Sequence, residues 1–173
     1  EELKKFYEDQ YFQTNQGPYR SSYEANEIEW FYIRIARVAA SVAEIRKGVK
    51  GTLLDVGCGE GFALDWFQKD GWDVTGLDYS TAGMNAINPH MLPYLKTGDM
   101  MENLRALGNS EKKFDLVWLT NVLEHVTDPL ELLKNLKKVV AKDGVAVVTL
   151  PNDGTYWQEY LYKNKLIPER IWI

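Results

Sequence analysis

"LLDVGCGEG", residues 53–61, sets a short apolar run directly before three glycines in five positions. Glycine destabilises strand and helix interiors and is favoured where backbone turns sharply or approaches another group closely. Thr52–Val56 therefore reads as a buried strand, and Gly57–Gly61 as a loop opening a helix over Gly61–Lys69 that stops at Gly71. Working outward, "WDVTGLD" (72–78) is a second strand, residues 81–88 a further helix, and "LPYLKTGD" (92–99) a third, shorter strand. "FDLVWLT" (114–120) and "VAVVTLP" (145–151) are apolar without clean alternation, as in central parallel strands buried on both faces.

Between those two runs lies a helix with clear punctuation. Asp128 can cap it, Pro129 suits the first helical position, and Glu131 falls where a capping-box acid belongs. Leu132, Leu133, Leu136, Val139 and Val140 form its buried stripe, Lys137, Lys138 and Lys142 complement its dipole, and Gly144 closes it. Upstream, Ile28, Phe31, Ile35, Val38, Val42 and Ile45 recur at alternating steps of three and four, one face of a helix from Glu24 to about Lys47. Strands alternating with helices imply a mainly parallel, twisted α/β sheet with helices on both faces and right-handed crossovers. Residues 1–48 are expected to form an N-terminal helical and lid segment, and residues 49–173 the core.

With 173 residues, 45% of them hydrophobic, the chain can build one domain with a sizeable core. A net charge of −5 and a pI near 5.1 argue against nucleic-acid binding driven by phosphate contacts. A single cysteine, Cys58, excludes an intrachain disulfide and fits a reducing compartment. No apolar run is long enough to span a membrane, and "EELKKFYEDQ" does not read as a signal peptide, so a cytoplasmic protein is expected. His90, His125 and Cys58 are too few and too scattered for a zinc site, so no metal is expected. His90, in the turn-prone "NPHM", is expected in solvent.

Open parallel sheets bind ligands beyond the carboxyl ends of their strands. The first end carries Asp55 and the glycine loop, the second Asp78-Tyr79, the third Asp99-Met100, and the fourth Thr120-Asn121 with Glu124-His125 just beyond. Three carboxylates at four ends disfavour a pyrophosphate and suit a ligand with hydroxyls and positive groups. "GEGFA" lacks the Gly-Lys-Ser/Thr ending of a P-loop. The dinucleotide fingerprint fails too, because Phe62 stands where its third glycine belongs and Glu60 where a pyrophosphate would sit. Asp78, however, follows Gly57 by 21 residues, the place of a carboxylate that accepts hydrogen bonds from ribose hydroxyls. The pattern favours a nucleoside without phosphates and with cationic character near Asp55, and S-adenosylmethionine has both.

"LLDVGCGEG", "VTGLDYS", "TGDM", "FDLVWLTNVLEHVTDP" and "GVAVVTLPN" resemble, in order and spacing, successive motifs of the class I S-adenosylmethionine-dependent methyltransferases, over about residues 50–152. The resemblance implies a Rossmann-like fold, S-adenosylmethionine as cofactor, and methyl transfer to a small-molecule oxygen, nitrogen or carbon acceptor. It implies that Gly57, Cys58 and Gly59 pass under the methionine part, with Asp55 near its ammonium. Asp78 would hold the ribose, Tyr79 lie against the adenine, Asp99 accept from its amino group, and Met100 form an apolar wall. Thr120, Asn121 and Val122 would line the sulfonium side.

His125 has two readings, a base near the transferred methyl group or a structural hydrogen-bonding residue, and the second is preferred. Cys58 reads as a small loop residue rather than a nucleophile. A catalytically silent cofactor-binding module that regulates a partner is the alternative function, and a NAD-dependent oxidoreductase the weaker third. A homodimer is compatible with the sequence; nucleic-acid and membrane partners are not expected. "FYEDQYFQTNQGPYR" (6–20) is expected to be a lid, with Arg20 reaching the methionine carboxylate. The family's sheet generally has seven strands, against five read here, so the C-terminal strands are expected to be missing. The chain is expected to continue beyond Ile173, or a partner to cover the edge of "VAVVTL".

Overall fold

The computed structural model describes residues 22–152 and 155–167. Helix α1 (Ala25–Ile45) leads into β1 (Thr52–Val56), α2 (Phe62–Lys69), β2 (Asp73–Asp78) and α3 (Ala82–Ile87). A 3-10 turn (Pro89–Tyr94) precedes β3 (Leu95–Thr97). Then follow α4 (Met100–Gly108), β4 (Phe114–Thr120), a short 3-10 turn (Leu123–His125), α5 (Pro129–Val139), β5 (Val140–Thr149) and α6 (Tyr156–Lys163). The strands form one all-parallel sheet in the order β3-β2-β1-β4-β5. Strand order reverses between β1 and β4, which opens a crevice at their carboxyl ends.

Side chains alternate along each strand, so each face of the sheet has its own core. On one face Leu53 of β1, Val74 of β2 and Leu116 and Trp118 of β4 pack under α1 and α2, through Ile35, Ala39, Val42, Leu64 and Phe67. On the other, Leu54, Val56, Leu77, Val117 and Leu119 pack under α4 and α5, through Met100, Leu104, Leu132, Leu136 and Val139. Each such side chain, fully buried, contributes roughly 1.5–3 kcal/mol.

Several local expectations are corrected. Ile45 and Leu133 are exposed, because the last turn of α1 directs Val42 into the core and the buried stripe of α5 runs through Leu132, Leu136 and Val139. Asp128 does cap α5, its Oδ1 accepting from the Glu131 N–H at 2.8 Å, but the Glu131 carboxylate pairs with Arg105 of α4 at 2.7 Å instead of closing a capping box. Gly144 does not close α5. The helix ends at Val139 and the chain becomes strand at once. Register then slips between Phe114↔Val140 and Leu116↔Val145, and a Cβ on Gly144 would stand 2.9 Å from the Phe114 carbonyl oxygen.

Nor is β5 buried on both faces. Val145 and Val147 pack on the α1 side while Ala146 and Val148 stay exposed, because β5 is an edge strand among the described residues. Residues 92–94 belong to the 3-10 turn rather than to β3. Helix α4, absent from the sequence reading, starts at Asp99, whose Oδ1 caps the Glu102 N–H at 2.9 Å. The expected lid, residues 6–20 with Arg20, lies outside the described residues.

Candidate functional site

Gly57 and Gly61 hold φ of 76° and 78°, left-handed values that make the glycine loop turn back toward β2. The Gly57 and Cys58 N–H groups both donate to the Leu77 carbonyl, at 2.8 and 3.1 Å. A Cβ on Gly57 would stand 2.4 Å from Val122 Cγ2, so the turn also needs glycine for the segment after β4 to close on it. Cys58 is buried against Gly76 of β2, where a Cβ would meet its sulfur at 2.8 Å. Burial first, then the charges of Asp55 and Asp78, push the Cys58 thiol well above its ordinary range, which leaves it a packing residue.

Helix α1 is docked over this loop by aromatic and polar contacts. Phe31 stacks on Phe62, the first residue of α2, with centroids 4.6 Å apart, and the rings of Tyr23 and Tyr32 meet Phe62 edge-on. The Tyr23 hydroxyl donates to Glu60 Oε1 at 2.6 Å. One helical turn into α2, the Asp65 carboxylate accepts from the Tyr32 hydroxyl at 2.5 Å, Lys69 Nζ at 2.6 Å and His90 at 2.7 Å. Burial pushes this carboxyl up, but those partners outweigh it and hold its pKa below the usual value. His90 is thus not simply in solvent: half its side chain is exposed and its Nε2 closes this clamp.

Between α1, the loop and the sheet lies a cavity of about 180 Å³. Phe31, Ile35, Val38, Phe62, Ala63 and Trp118 give it apolar walls. Asp55, Glu60, Arg34, Thr120, Asn121 and Thr149 give it polar groups. Of the residues singled out from sequence, Asp55, Gly57, Cys58, Gly59, Thr120 and Asn121 therefore meet in one place. The Asp55 carboxyl is pushed up to about 8, first by burial and then by the charge of Asp78. Glu60 is also raised by burial, against the pull of its Tyr23 hydrogen bond. Such carboxyls favour a cation, whose charge would restore their ionised form.

Asp78 sits beside this cavity, nearly buried, its Oδ2 accepting from the Gly59 N–H at 2.8 Å and its Oδ1 from the Ser80 N–H at 3.2 Å. Burial raises its pKa while those backbone bonds pull it down. With the Tyr79 backbone as a third partner, one of the about four acceptor positions of an ionised carboxylate remains for a ligand hydroxyl. Tyr79 leans on the core of the opposite face.

The remaining expected residues are not among those that line the cavity. Asp99 caps α4, and Met100, 2% exposed, is packed into the core under that helix. Val122 packs on Gly57. His125 stands on the 3-10 turn after β4, outside the cavity lining, with Nε2 3.8 Å from the Glu124 carboxylate. Arg34, Glu60 and Thr149 line the cavity without having been singled out as ligand residues. For Thr149 a signal existed: Val145, Val147 and Thr149 fall at period two on the face that meets α1.

Comparison with known proteins agrees with this fold. The sequence family described as "Methyltransferase domain" matches residues 30–170. The ubiquinone biosynthesis O-methyltransferase of Actinobacillus pleuropneumoniae serotype 7 is 34% identical over 101 residues, covering 54% of this chain and 42% of that protein. The protein of the same name from Pasteurella multocida is 28% identical over 142 residues, 75% of this chain and 55% of its own. The chain thus spans about half the length of the curated relatives it matches. Among solved structures, a SAM dependent methyltransferase from Archaeoglobus fulgidus superposes with a TM-score of 0.62 at 23% identity, over 79% of this chain and 59% of that one. A SAM-bound amino pentose methyltransferase from Micromonospora echinaspora gives 0.57 at 22% identity, over 77% and 58%. At such identities the likeness speaks for the fold.

Proposed function

The chain belongs to the methyltransferase-domain family, and from that premise we propose that it binds S-adenosylmethionine and directs its methyl group to a small-molecule acceptor. One observation carries the reading. The glycine loop brings buried Asp55 and Glu60 to one cavity and engages Asp78 beside it through the Gly59 N–H, an arrangement for a ligand with a cationic end and a hydroxyl. The cavity also holds hydroxyls that no described residue satisfies, which fits a polar ligand rather than an apolar one.

When bound, the cofactor supplies an electrophilic methyl group on a sulfonium. The chain's own residues bind and orient. Asp78 accepts from a ribose hydroxyl while the Gly59 and Ser80 N–H groups keep its carboxylate aimed. Asp55 and Glu60 offer negative charge to the ammonium. Trp118, Phe31 and Phe62 keep water from the methyl path. Orientation of this kind can contribute roughly 7–11 kcal/mol to the rate in favourable cases. No base is required of the cavity for this share of the catalysis, and His125, off the lining, is read as a positioning residue.

Titration calorimetry with S-adenosylhomocysteine and with NADH tests the reading. Saturable binding of the first and none of the second is expected. Binding of NADH alone, or of neither, overturns it. Transfer of isotope-labelled methyl from S-adenosylmethionine to candidate phenols, amines and sugars then identifies the acceptor. A chain that binds the cofactor but methylates nothing would be a regulatory module.

A further inference from the structure

Asp65 stands in α2, outside the cavity lining, and its side chain is fully buried. Donors from three elements converge on it. Tyr32 of α1 and Lys69 of α2 donate to Oδ2, and His90 of the 3-10 turn donates to Oδ1. The Lys69 ammonium also lies 5.7 Å from the centre of the Tyr32 ring. Just before that 3-10 turn, the Asn88 side-chain amide donates to the Glu60 carbonyl of the glycine loop at 2.9 Å. The cluster thus joins the helix that roofs the cavity, the helix that leaves the glycine loop, and the turn beyond β2.

Lys69 and His90 do not need this carboxylate for their own solvation, because their side chains are 67% and 54% exposed. A buried charge is weak evidence for stability, since apolar packing often serves as well; its best-attested use is to fix register. Register is what α1 requires. It meets the core through Ile35, Ala39 and Val42, an apolar stripe, and apolar contact is non-directional. A hydrogen bond, by contrast, demands a set length and angle. Tyr32 directly follows Phe31 and precedes Ile35 by three residues, and Phe31, Ile35 and Val38 line the cavity.

We infer that Asp65 is a positioning residue of the site: through the Tyr32 hydroxyl it fixes the register of α1, and with it Phe31, Ile35 and Val38 over the cavity. The choice of probes below rests on the S-adenosylmethionine reading; the placement of α1 does not. Phe31 stacked on Phe62 and Tyr23 bound to Glu60 keep α1 docked without the clamp, so its loss loosens the roof rather than unfolding it. In the proposed complex α1 covers the cationic end of the ligand, whereas Asp78 engages the nucleoside beside the cavity. A displaced roof is therefore felt by one end of the ligand only.

Three variants test this. Asp65→Ala removes the carboxylate, Tyr32→Phe removes the hydroxyl but keeps the ring, and Asp65→Asn keeps one oxygen to accept from Tyr32. In the ligand-free protein, amide hydrogen exchange over residues 25–35 should quicken about tenfold in Asp65→Ala and Tyr32→Phe, with β1 and β4 unchanged. In both, the dissociation constant for S-adenosylhomocysteine should rise about tenfold, the equivalent of one hydrogen bond to a charged group. That for 5′-methylthioadenosine, which lacks the amino-acid end, should change less than about twofold. Asp65→Asn should retain most of the affinity, and the Asp65→Ala, Tyr32→Phe double variant should bind no more weakly than either single one, because both cut the same link. A lower melting temperature with both constants unchanged would make the clamp structural only and overturn the inference. So would equal losses for both probes, or unchanged exchange in α1. A parent protein that binds neither probe overturns the cofactor reading, while the exchange comparison still decides whether Asp65 sets α1.

Discussion

The two faces of this sheet are built from neighbouring residues of the same strands, yet they end differently. Under α4 and α5, Leu54 and Val56 of β1 and Val117 and Leu119 of β4 stay apolar and buried to the carboxyl end. Under α1 the same strands run from Leu53 to Asp55 and from Trp118 to Thr120, and the last layer is polar. One face keeps its full layer of apolar packing. The other gives up that layer, accepting a raised carboxyl and unsatisfied hydroxyls beside a cavity. Close packing and the cavity are thereby separated by a single residue step along each strand.

The largest expected effect comes from breaking the stable face. Leu119 is fully buried, and Leu119→Ala should lower unfolding stability by about 2–5 kcal/mol in denaturant titration. The affinity of the remaining folded protein for S-adenosylhomocysteine should be nearly unchanged. A variant that loses affinity in proportion to stability would mean that the two faces are not separable.

Next in size is Asp78→Ala, beside the cavity. Hydrogen bonds to a charged group contribute roughly 1.5–3 kcal/mol, so S-adenosylhomocysteine should bind at least tenfold more weakly while the fold persists. Unchanged affinity in calorimetry would remove Asp78 from the site.

The pH dependence of the ligand-free protein sharpens the contrast further. Asp55 ionises near 8 in the folded chain and near its ordinary 3.8 when unfolded. The folded state therefore holds a proton that the unfolded state has lost. The associated stability is fully present below pH 3.8 and is lost as pH rises through about 8. Glu60 and Asp78, also raised, act in the same direction. Melting temperature should fall from pH 5 to 9, and Asp55→Asn should flatten the slope. A slope unchanged by the substitution would place the proton elsewhere.

His125 gives the smallest effect. It lies outside the cavity lining, so His125→Gln should lower the melting temperature and reduce turnover only severalfold. A loss beyond about a hundredfold at an unchanged melting temperature would make it the base.

The sequence by itself determined the order and limits of most elements, because apolar periodicity, glycine stops and the Asp128-Pro129 start are local signals. β1 spans the residues read for it, as does β4. It also marked Asp55, the glycine loop, Asp78, Thr120 and Asn121, since strand ends with carboxylates are visible in one dimension. Tertiary structure alone decided which of those ends converge. It sent Asp99 and Met100 to a helix cap and a core, because Leu104 and Leu107 downstream form an amphipathic turn whose partner helix is distant in sequence. It tied His90 to Asp65, and it brought Arg34 and Thr149, 115 residues apart, to one cavity. Pairing between β4 and β5 sets a register that no local pattern encodes, and only that register puts Thr149 beside Thr120.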